Sequence, residues 1–258
     1  MNYHELVNPV CDIAKAAGKI LLSYYENIES WNTEIKADHS PVTAADKAAN
    51  LFIINELKKI SSCIILAEES EHIDFSHNKD VKYFWLVDPM DGTKEFLKRN
   101  GEFTVNIALI EKNKSVLGVV YIPVTDELFF ATYQNGAFQR IENEDVILQA
   151  SKFSIQDSGL TIVCTRSHLN DLTQQFITQF KCPNVVPVGS SIKYIKLAKG
   201  EAHIYPCLYP TMEWDTAAAQ IILEEAGGKV IDFSTQMPLT YNKHNLKNHG
   251  QIALAKEQ

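Results

Sequence analysis

One stretch of the sequence, WLVDPMDGTKEF at residues 85–96, does most to define the fold and the chemistry of this protein. Its apolar first part predicts a buried strand, and Pro89 and Gly92 predict the tight turn that follows. The residues after Gly92 are typical of the beginning of a helix. We therefore expect a strand, a bend and a helix start in immediate succession.

Two acidic side chains, Asp88 and Asp91, leave this bend close together. Two carboxylates about 5 Å apart at an effective dielectric constant near 20 repel each other by roughly 3 kcal/mol. A cation between them would remove that repulsion, and hard divalent cations prefer oxygen ligands such as carboxylates and the exposed carbonyl of Met90. The alternative is an ordinary Asp-Gly turn that Asp88 caps.

Length and composition place the chain among globular proteins. It has 258 residues, of which 45% are hydrophobic and 22% charged, which is enough for a large core in one or two domains. Lys and Arg number 24 against 32 Asp and Glu, so the net charge is −8. This excess of acids argues against a nucleic-acid polymer as partner, and a phosphate ligand would need metal cations as counter-charge.

The cysteines and the N-terminus favour a cytoplasmic protein. Five scattered cysteines form no C-x-x-C pair and are interpreted as reduced, mostly buried thiols. The first residues lack the pattern of a secretory signal, and no apolar run approaches the roughly 20 residues of a transmembrane segment. Peripheral association with the cytoplasmic face of the inner membrane stays open, as does the choice between monomer and homodimer.

The first half of the chain predicts two helices followed by a largely antiparallel sheet. Apolar residues recur at helical spacing near the N-terminus and again from Thr43 to Ile60. Asn135-Gly136 is a strong hairpin signal. The predicted strands are Cys63–Ala67, Tyr83–Val87, Val105–Ile110, Val116–Ile122 and Leu128–Thr132.

The second half alternates strands and helices, which predicts a partly parallel sheet covered by helices. The expected strands are Leu160–Cys164, Val185–Val188, Ala202–Tyr205 and, as the last strand, Lys229–Ile231. The expected helices are Leu169–Phe180, Ser191–Lys199 and Glu213–Ala226. After the polar segment Glu142–Asp145 and a linker-like stretch at Ser151–Ser158, we expect a division into residues 1–150 and residues 151–258.

Further acids stand where such folds place active sites. Glu68 follows an apolar strand, although Glu68 and Glu69 could equally be a solvated loop pair. Asp215 lies beside Trp214 at the start of an apolar helix, whose N-terminus favours negative charge, although it could simply cap that helix.

A helix start near Thr43 and the Gly92-Thr93 turn suggest how water could be activated. Thr43 and Asp46 have the spacing of a capping box, which is a sufficient local reason for both residues. Free amides at the Gly92-Thr93 turn would suit phosphate, and the Thr93 hydroxyl could orient water. Asp46 could then accept the hydroxyl proton, but spacing does not show whether Asp46 and Thr93 are neighbours.

Taken together, these segments resemble the inositol monophosphatase superfamily of metal-dependent phosphatases. They are PVTAAD at 41–46, Glu68-Glu69, DPMDGT at 88–93 and Trp214-Asp215, in the order of that family. Within the superfamily the chain is most similar to the CysQ-type 3'(2'),5'-bisphosphate nucleotidases. The segments that carry this closer similarity are DGTKEF at 91–96, KRNGEFTVN at 98–106, GSSIK at 189–193 and Pro210-Thr211.

The resemblance implies a layered αβαβα sandwich, with an antiparallel sheet in the N-terminal half and a mixed sheet in the C-terminal half. It implies two or three Mg²⁺ ions held by Glu68, Asp88, Asp91, Asp215 and the Met90 carbonyl. It also implies that Asp46, Thr93 and Glu68 are catalytic. The implied substrate contacts are Met90, Asp91, Gly92, Thr93, His168, Ser190, Ser191, Lys193 and Asp215.

The implied activity is hydrolysis of adenosine 3',5'-bisphosphate to AMP and phosphate, which removes a by-product of sulfate activation. Lys193, with Lys94 or Arg99, is the candidate for the second phosphate of this small-molecule nucleotide. Tyr194, Tyr205 and Tyr209 could stack on adenine or could be core residues. Lys94-Glu95 and Leu208 depart from the inositol-phosphate branch, which favours a more anionic substrate.

Three alternatives remain at this point. An inositol monophosphatase or another sugar phosphatase would use the same scaffold. A non-catalytic sensor of the bisphosphate would not need the pair Asp46 and Thr93. A structural Ca²⁺ site would explain the carboxylates without any activity.

Overall fold

The computed structural model describes residues 2–27, 33–35, 41–70, 81–166 and 170–258. His168, which the resemblance implied as a nucleotide contact, lies outside the described residues. The helices are α1 (Tyr3–Glu26), α2 (Ala44–Ile60), α3 (Thr93–Leu97), α4 (Asp171–Ile177), α5 (Ile192–Ala198) and α6 (Ala217–Glu225).

The strands form two main sheets, one in each half of the chain. The strands up to the middle of the chain are β1 (Glu34–Ile35), β2 (Pro41–Val42), β3 (Ile64–Ala67), β4 (Tyr83–Asp91), β5 (Thr104–Glu111), β6 (Lys114–Ile122), β7 (Glu127–Thr132), β8 (Ala137–Ile141) and β9 (Glu144–Ile147). The remaining strands are β10 (Lys152–Phe153), β11 (Thr161–Thr165), β12 (Asn184–Val188), β13 (Ile204–Cys207), β14 (Thr211–Met212), β15 (Lys229–Asp232), β16 (Lys247–Asn248), β17 (Gln251–Leu254) and β18 (Lys256–Glu257).

The first sheet has seven strands in the order β3-β4-β5-β6-β7-β8-β9. Its pairs are antiparallel apart from β3 and β4, which run parallel. Both faces are covered, since Trp85 and Val87 point into the core beneath α1 and α2 while Phe84 and Leu86 point into the opposite core. The nearly continuous apolar run of β4 follows from this burial on both sides.

The second sheet has five strands in the order β12-β11-β13-β17-β15. The strands β12, β11 and β13 are parallel, whereas β17 is antiparallel to both β13 and β15. The helices α5 and α6 lie between the two sheets, and α4 packs on β13. The layers are therefore αβαβα, and the prediction of an antiparallel and a mixed sheet is confirmed.

The two halves share a core at the contact of α6 with β6. A side-chain carbon added at Gly118 would come within 2.3 Å of the Ala218 backbone oxygen. Only glycine lets the helix backbone approach the strand so closely. As a result, residues of both halves belong to one continuous hydrophobic core.

Several predicted elements differ from the structure. Lys229–Ile231 is not the last strand, because β17 follows it and inserts between β13 and β15. The polar segment at residues 142–145 includes the turn between β8 and β9, and the linker-like stretch after it contains the short strand β10. The helix expected at Leu169–Phe180 is shorter, since α4 spans Asp171–Ile177.

The helix expected at Glu213–Ala226 is also interrupted. It begins as a 3-10 turn at Glu213–Asp215, and α6 starts only at Ala217. The buried Glu213 carboxylate accepts hydrogen bonds from the amides of Asn242 and Lys243, at 2.8 and 2.9 Å, which ties this turn to a distant loop. No described helix is long and apolar enough to cross a membrane.

Candidate active site

The segment after Trp85 brings Asp88 and Asp91 to the same side of the first sheet. On a regular strand, residues three positions apart point to opposite faces. Here Asp88 pairs with Asn106 and Asp91 with Thr104, so three steps on β4 match two steps on β5. The extra residue makes a bulge at a proline, which has no amide to donate to the ladder.

Gly92 then turns the chain from β4 into α3. Its φ of 100° lies in the left-handed region that glycine adopts without strain. The carbonyl of Gly92 accepts hydrogen bonds from the amides of Glu95 and Phe96, both at 2.9 Å. Thr93 is thereby the first residue of α3, as the sequence predicted for this helix start.

The start of α2 brings Asp46 to Thr93. The capping box is present: the Thr43 amide and hydroxyl both donate to Asp46 Oδ2 at 2.7 Å. The other oxygen, Oδ1, accepts a hydrogen bond from Thr93 Oγ1 at 3.3 Å. Asp46 therefore serves the local cap with one oxygen and contacts Thr93 with the other, so the two interpretations of this residue are compatible.

Four carboxylates, those of Glu68, Asp88, Asp91 and Asp215, lie close enough to influence one another. Burial, followed by the charges of Glu68, Asp91 and Asp215, raises the pKa of Asp88 well above its usual range. Burial and the charges of Asp91 and Glu68 likewise raise the pKa of Asp215. Such mutual repulsion among desolvated acids indicates a place where a cation would be stabilised.

Of these four acids, Asp91 has contacts from both halves of the chain that stabilise its negative charge. Its pKa rises to about 6, mainly because of burial, while the charge of Lys193 and a hydrogen bond from the Ser191 amide act in the opposite direction. Asn106 Nδ2 donates to Asp91 Oδ2 at 3.5 Å. Asp91 thus receives contacts from both halves of the chain.

The second half supplies hydroxyl groups and a buried lysine. Ser191 Oγ lies 2.8 Å from Thr104 Oγ1 and 2.9 Å from Asn106 Oδ1. Lys193 Nζ donates to the carbonyls of Ser190 at 2.6 Å and Val188 at 3.3 Å. Burial lowers the pKa of Lys193, and the charge of Asp91 opposes that change.

These groups line a cavity of about 370 Å³ between the two sheets. Its lining residues are Glu68, Asp91, Gly92, Thr93, Lys94, Glu95, Thr165, Gly189, Ser190, Ser191, Lys193, Tyr194, Tyr205, Tyr209, Pro210, Thr211, Asp215, Thr216 and Gln251. Four are acidic and two are lysines, so the formal charge of the described lining is −4 + 2 = −2. An anionic ligand would be repelled here without additional positive charge.

Eight of the site residues named from the sequence share this cavity: Glu68, Asp91, Gly92, Thr93, Ser190, Ser191, Lys193 and Asp215. Asp46, Asp88 and Met90 are buried and are not among the lining residues. Arg99 is not among the lining residues, and its guanidinium lies 5.1 Å from the centre of the Tyr25 ring. Lys94 does line the cavity, so it is better placed than Arg99 for an anionic ligand.

The three tyrosines are both core and cavity residues. The rings of Tyr194 and Tyr205 pack edge to face at 5.0 Å, and both side chains are buried. Tyr209 is only partly buried and also lines the cavity. Of the three, Tyr209 therefore offers the most accessible ring for a base.

The donor set fits a hard divalent cation in ligand type and in charge. Within the described ranges, however, no three acidic, histidine or cysteine side chains already form a ready-made set of ligands. Asp88 Oδ1 instead accepts from the Met90 amide at 3.0 Å, and Asp215 Oδ2 accepts from the Met212 amide at 2.8 Å. Asp88 and Asp215 therefore each use one carboxylate oxygen for a backbone hydrogen bond. A bound ion would draw these mutually repelling carboxylates together.

One residue beside the cavity and one residue that lines it were not singled out from the sequence. Asn106 contacts both Asp91 and Ser191, although it appeared only as part of the family-like segment at 98–106. Gln251 belongs to β17, the strand that was not predicted, and donates to Tyr194 Oη at 3.1 Å. Its signal is the short apolar run that follows at Ile252–Ala255.

Comparison with known proteins relates this architecture to phosphatases. The chain is 38% identical over 229 residues to the 3'(2'),5'-bisphosphate nucleotidase CysQ of Buchnera aphidicola, which covers 88% of this chain and 84% of that protein. It is 36% identical over 237 residues to the protein of the same name from Escherichia coli strain K12, covering 92% of this chain and 94% of that one.

A solved structure agrees with these relatives. The crystal structure of CysQ from Bacteroides thetaiotaomicron, described as a bacterial member of the inositol monophosphatase family, superposes with a TM-score of 0.84. The two chains are 37% identical, and the match covers 97% of this chain and 98% of that one. The inositol monophosphatase family model matches residues 2–256. This chain therefore belongs to the inositol monophosphatase family.

Proposed function

We propose that this protein is a Mg²⁺-dependent 3'(2'),5'-bisphosphate nucleotidase that hydrolyses adenosine 3',5'-bisphosphate to AMP and phosphate. The observation that carries the choice of substrate is its 36–38% identity to curated nucleotidases of that name over about nine-tenths of the chain. The cavity supports a phosphatase because acids, hydroxyls and lysines face one another in it. The associated role is removal of a by-product of sulfate activation.

Glu68, Asp88, Asp91, Asp215 and the Met90 carbonyl would hold the metal, in the form of two or three Mg²⁺ ions. Bound Mg²⁺ supplies positive charge that lowers the pKa of water and stabilises charge on a leaving oxygen. The chain contributes the ligands and their position. The amides of Gly92 and Thr93 would hold the phosphate that is removed, at the start of α3.

Thr93 and Asp46 would remove the proton from the attacking water. Thr93 Oγ1 lies 3.3 Å from Asp46 Oδ1 and 3.5 Å from the Met90 carbonyl. A hydroxyl that donates to a carboxylate presents its lone pairs to water, so Thr93 can accept a proton while its own passes to Asp46. The two hydrogen bonds from Thr43 hold the Asp46 carboxylate in the orientation that this transfer needs.

The second phosphate of the substrate would be recognised by Ser190, Ser191 and Lys193, with Lys94 nearby. Two of the three protons of the Lys193 ammonium go to backbone carbonyls and the ammonium also lies 5.1 Å from the centre of the Tyr205 ring, so at most one proton is left for a ligand. Leu208 is buried in the apolar core, so this position offers no carboxylate for the hydroxyls of a sugar. Both features favour an anionic substrate over a polyol.

The remaining parts of the proposal concern location, assembly and organisation. Five free cysteines suit the reducing cytoplasm, where we place the activity. We propose a monomer or a homodimer. We also propose that the division near residue 150 separates two sheets rather than two independently folding domains, because one core includes both halves.

A substrate panel tests the proposal. Purified protein with Mg²⁺ is expected to release phosphate from adenosine 3',5'-bisphosphate with a higher kcat/KM than from inositol 1-phosphate. A higher value for inositol 1-phosphate would instead support a sugar phosphatase. Tight binding of the nucleotide without turnover would support a sensor, and metal-dependent thermal stability without any activity would support a structural Ca²⁺ site.

A further inference from the structure

Three charged side chains hold the backbone immediately before the serines of the cavity. Arg166 Nη2 donates to the Pro187 carbonyl at 2.8 Å, and Glu102 Oε2 accepts from the Gly189 amide at 2.8 Å. Lys193 donates to the carbonyls of Val188 and Ser190. Residues 187–190 therefore have a hydrogen bond to a charged side chain at each position, and such bonds are stronger than neutral ones.

Glu102 and Arg166 also form a fork with each other across the two halves of the chain. Arg166 Nε lies 2.9 Å from Glu102 Oε2, and Arg166 Nη2 lies 2.7 Å from Glu102 Oε1. Because this pairing is bidentate, it specifies orientation as well as distance. Glu102 belongs to the first half, and Arg166 directly follows β11 in the second.

The backbone of Glu102 lies between two glycines that border the cavity. A side-chain carbon on Gly189 would come within 2.8 Å of the Glu102 carbonyl oxygen, and one on Gly92 would come within 2.9 Å of the same atom. Gly92 precedes Thr93, and Gly189 precedes Ser190. The distance between these two walls of the cavity is therefore set through residue 102.

From these contacts we propose that Glu102 and Arg166 are positioning residues, which hold the Gly189–Lys193 segment at a fixed distance from the Gly92-Thr93 turn and thereby determine affinity for the non-reacting part of the substrate. Neither residue lines the cavity, so neither is a catalytic residue. This inference rests on the proposed function only in naming a nucleotide bisphosphate as the substrate.

The test compares this ion pair with a matched pair elsewhere. Glu102→Gln removes the negative charge, Arg166→Lys keeps the positive charge but loses the planar fork, and the double variant does both, each with little change in side-chain volume. The control is Arg140 with Asp145, also bidentate at 2.7 and 3.0 Å, in β8 and β9. Side-chain exposures are 39% and 24% for Arg166 and Glu102, against 21% and 40% for Arg140 and Asp145, so the pairs are similarly solvated.

The Glu102 and Arg166 variants are expected to raise KM for adenosine 3',5'-bisphosphate about tenfold, while kcat changes less than about threefold. Their kcat/KM for p-nitrophenyl phosphate, which has no second phosphate or nucleoside, should stay at the wild-type value. The double variant should be no worse than the worse single variant, because both remove one unit. Arg140→Lys and Asp145→Asn should leave every kinetic constant unchanged.

Hydrogen exchange gives a readout that needs no substrate. The amides of residues 188–191 should exchange faster in the Glu102 and Arg166 variants, and at the wild-type rate in the control variants at Arg140 and Asp145. Unchanged exchange, an unchanged KM, or equal effects in the control pair would overturn the inference. If wild-type protein does not hydrolyse the nucleotide, the proposed function fails, while the exchange comparison still decides the positioning role.

Discussion

The two sheets contribute to the cavity in different ways. The first sheet delivers Glu68 after β3 and Asp91 at the end of β4, two strands that pair with each other and whose apolar side chains pack into the cores on both faces of the sheet. The second half delivers its groups from short helical starts, namely Ser191 and Lys193 at α5 and Asp215 in a 3-10 turn before α6. Acids therefore dominate one wall, and hydroxyl groups and a lysine dominate the other.

This difference shows that neither half forms the site alone. Ser191 completes a hydrogen-bond network with Thr104 and Asn106 on the first sheet, and the charges of Lys193 and Asp91 influence each other's pKa. The predictions below test how far the two walls depend on each other.

The largest effect is expected from removing one acid of each wall. Asp91→Asn and Asp215→Asn should each lower kcat/KM by more than about 10³-fold, because each would remove a proposed negative ligand of a metal that is worth several kcal/mol to the transition state. Phosphate release at increasing Mg²⁺ measures this loss. Asp12→Asn, on the exposed side of α1, is the control. Wild-type activity in Asp215→Asn would mean that the second half contributes no metal ligand.

A smaller loss is expected from the hydroxyl of the first wall that we propose activates water. Thr93→Val should lower kcat about 10²- to 10³-fold, the usual contribution of positioned proton transfer. Thr93→Ser retains the hydroxyl and should stay within about tenfold of wild type. Single-turnover kinetics checks both, and Thr125→Val in an exposed turn is the control. Equal losses in the valine and serine variants would contradict the proton-transfer role.

The core that the two halves share at the contact of α6 with β6 can be weakened at Gly118. Gly118→Ala forces a methyl group against the Ala218 carbonyl and should lower the free energy of unfolding by about 1–3 kcal/mol. Urea unfolding followed by fluorescence and circular dichroism should still show one transition. Two separate transitions in the wild-type protein would mean that the halves fold independently.

The smallest effect concerns pH. Since burial raises the pKa of Asp91 to about 6, above its unfolded value near 3.9, this group stabilises the metal-free fold most below pH 4. That contribution is lost as the pH rises through 6. Stabilisation by Mg²⁺ should grow over the same range, because metal binding requires the deprotonated carboxylate.

Thermal unfolding in EDTA and in Mg²⁺ at pH 5 and pH 7 measures both trends. In Asp91→Asn the pH dependence of the EDTA curve should decrease, since the asparagine amide does not titrate. An increase of the Mg²⁺-induced shift from pH 7 to pH 5 would contradict this interpretation.

Much of the fold was predictable because it is encoded locally. Helical spacing of apolar residues predicted α1 and α2, short β-prone runs predicted most strands, and Asn135-Gly136 predicted the turn before β8. The elements that were predicted wrongly depend on contacts between residues far apart in the chain. The strand β17 is only four residues long and is defined by its partners β13 and β15, and the helix at Glu213 is interrupted where its carboxylate binds the distant 242–243 loop.

The sequence by itself determined the chemistry: the acids near residues 68, 88, 91 and 215, the turn at Gly92, the capping box at Asp46 and the family to which the chain belongs. Only the tertiary structure decided that the bulge in β4 brings Asp88 and Asp91 to one face, that Thr93 contacts Asp46, and that Arg166 and Glu102 hold the segment before Ser190. The physical reason is how far apart in the sequence the interacting residues are. Turns, caps and periodicity depend on neighbours in the chain, whereas contacts between residues 47 or 64 positions apart exist only after both sheets have packed.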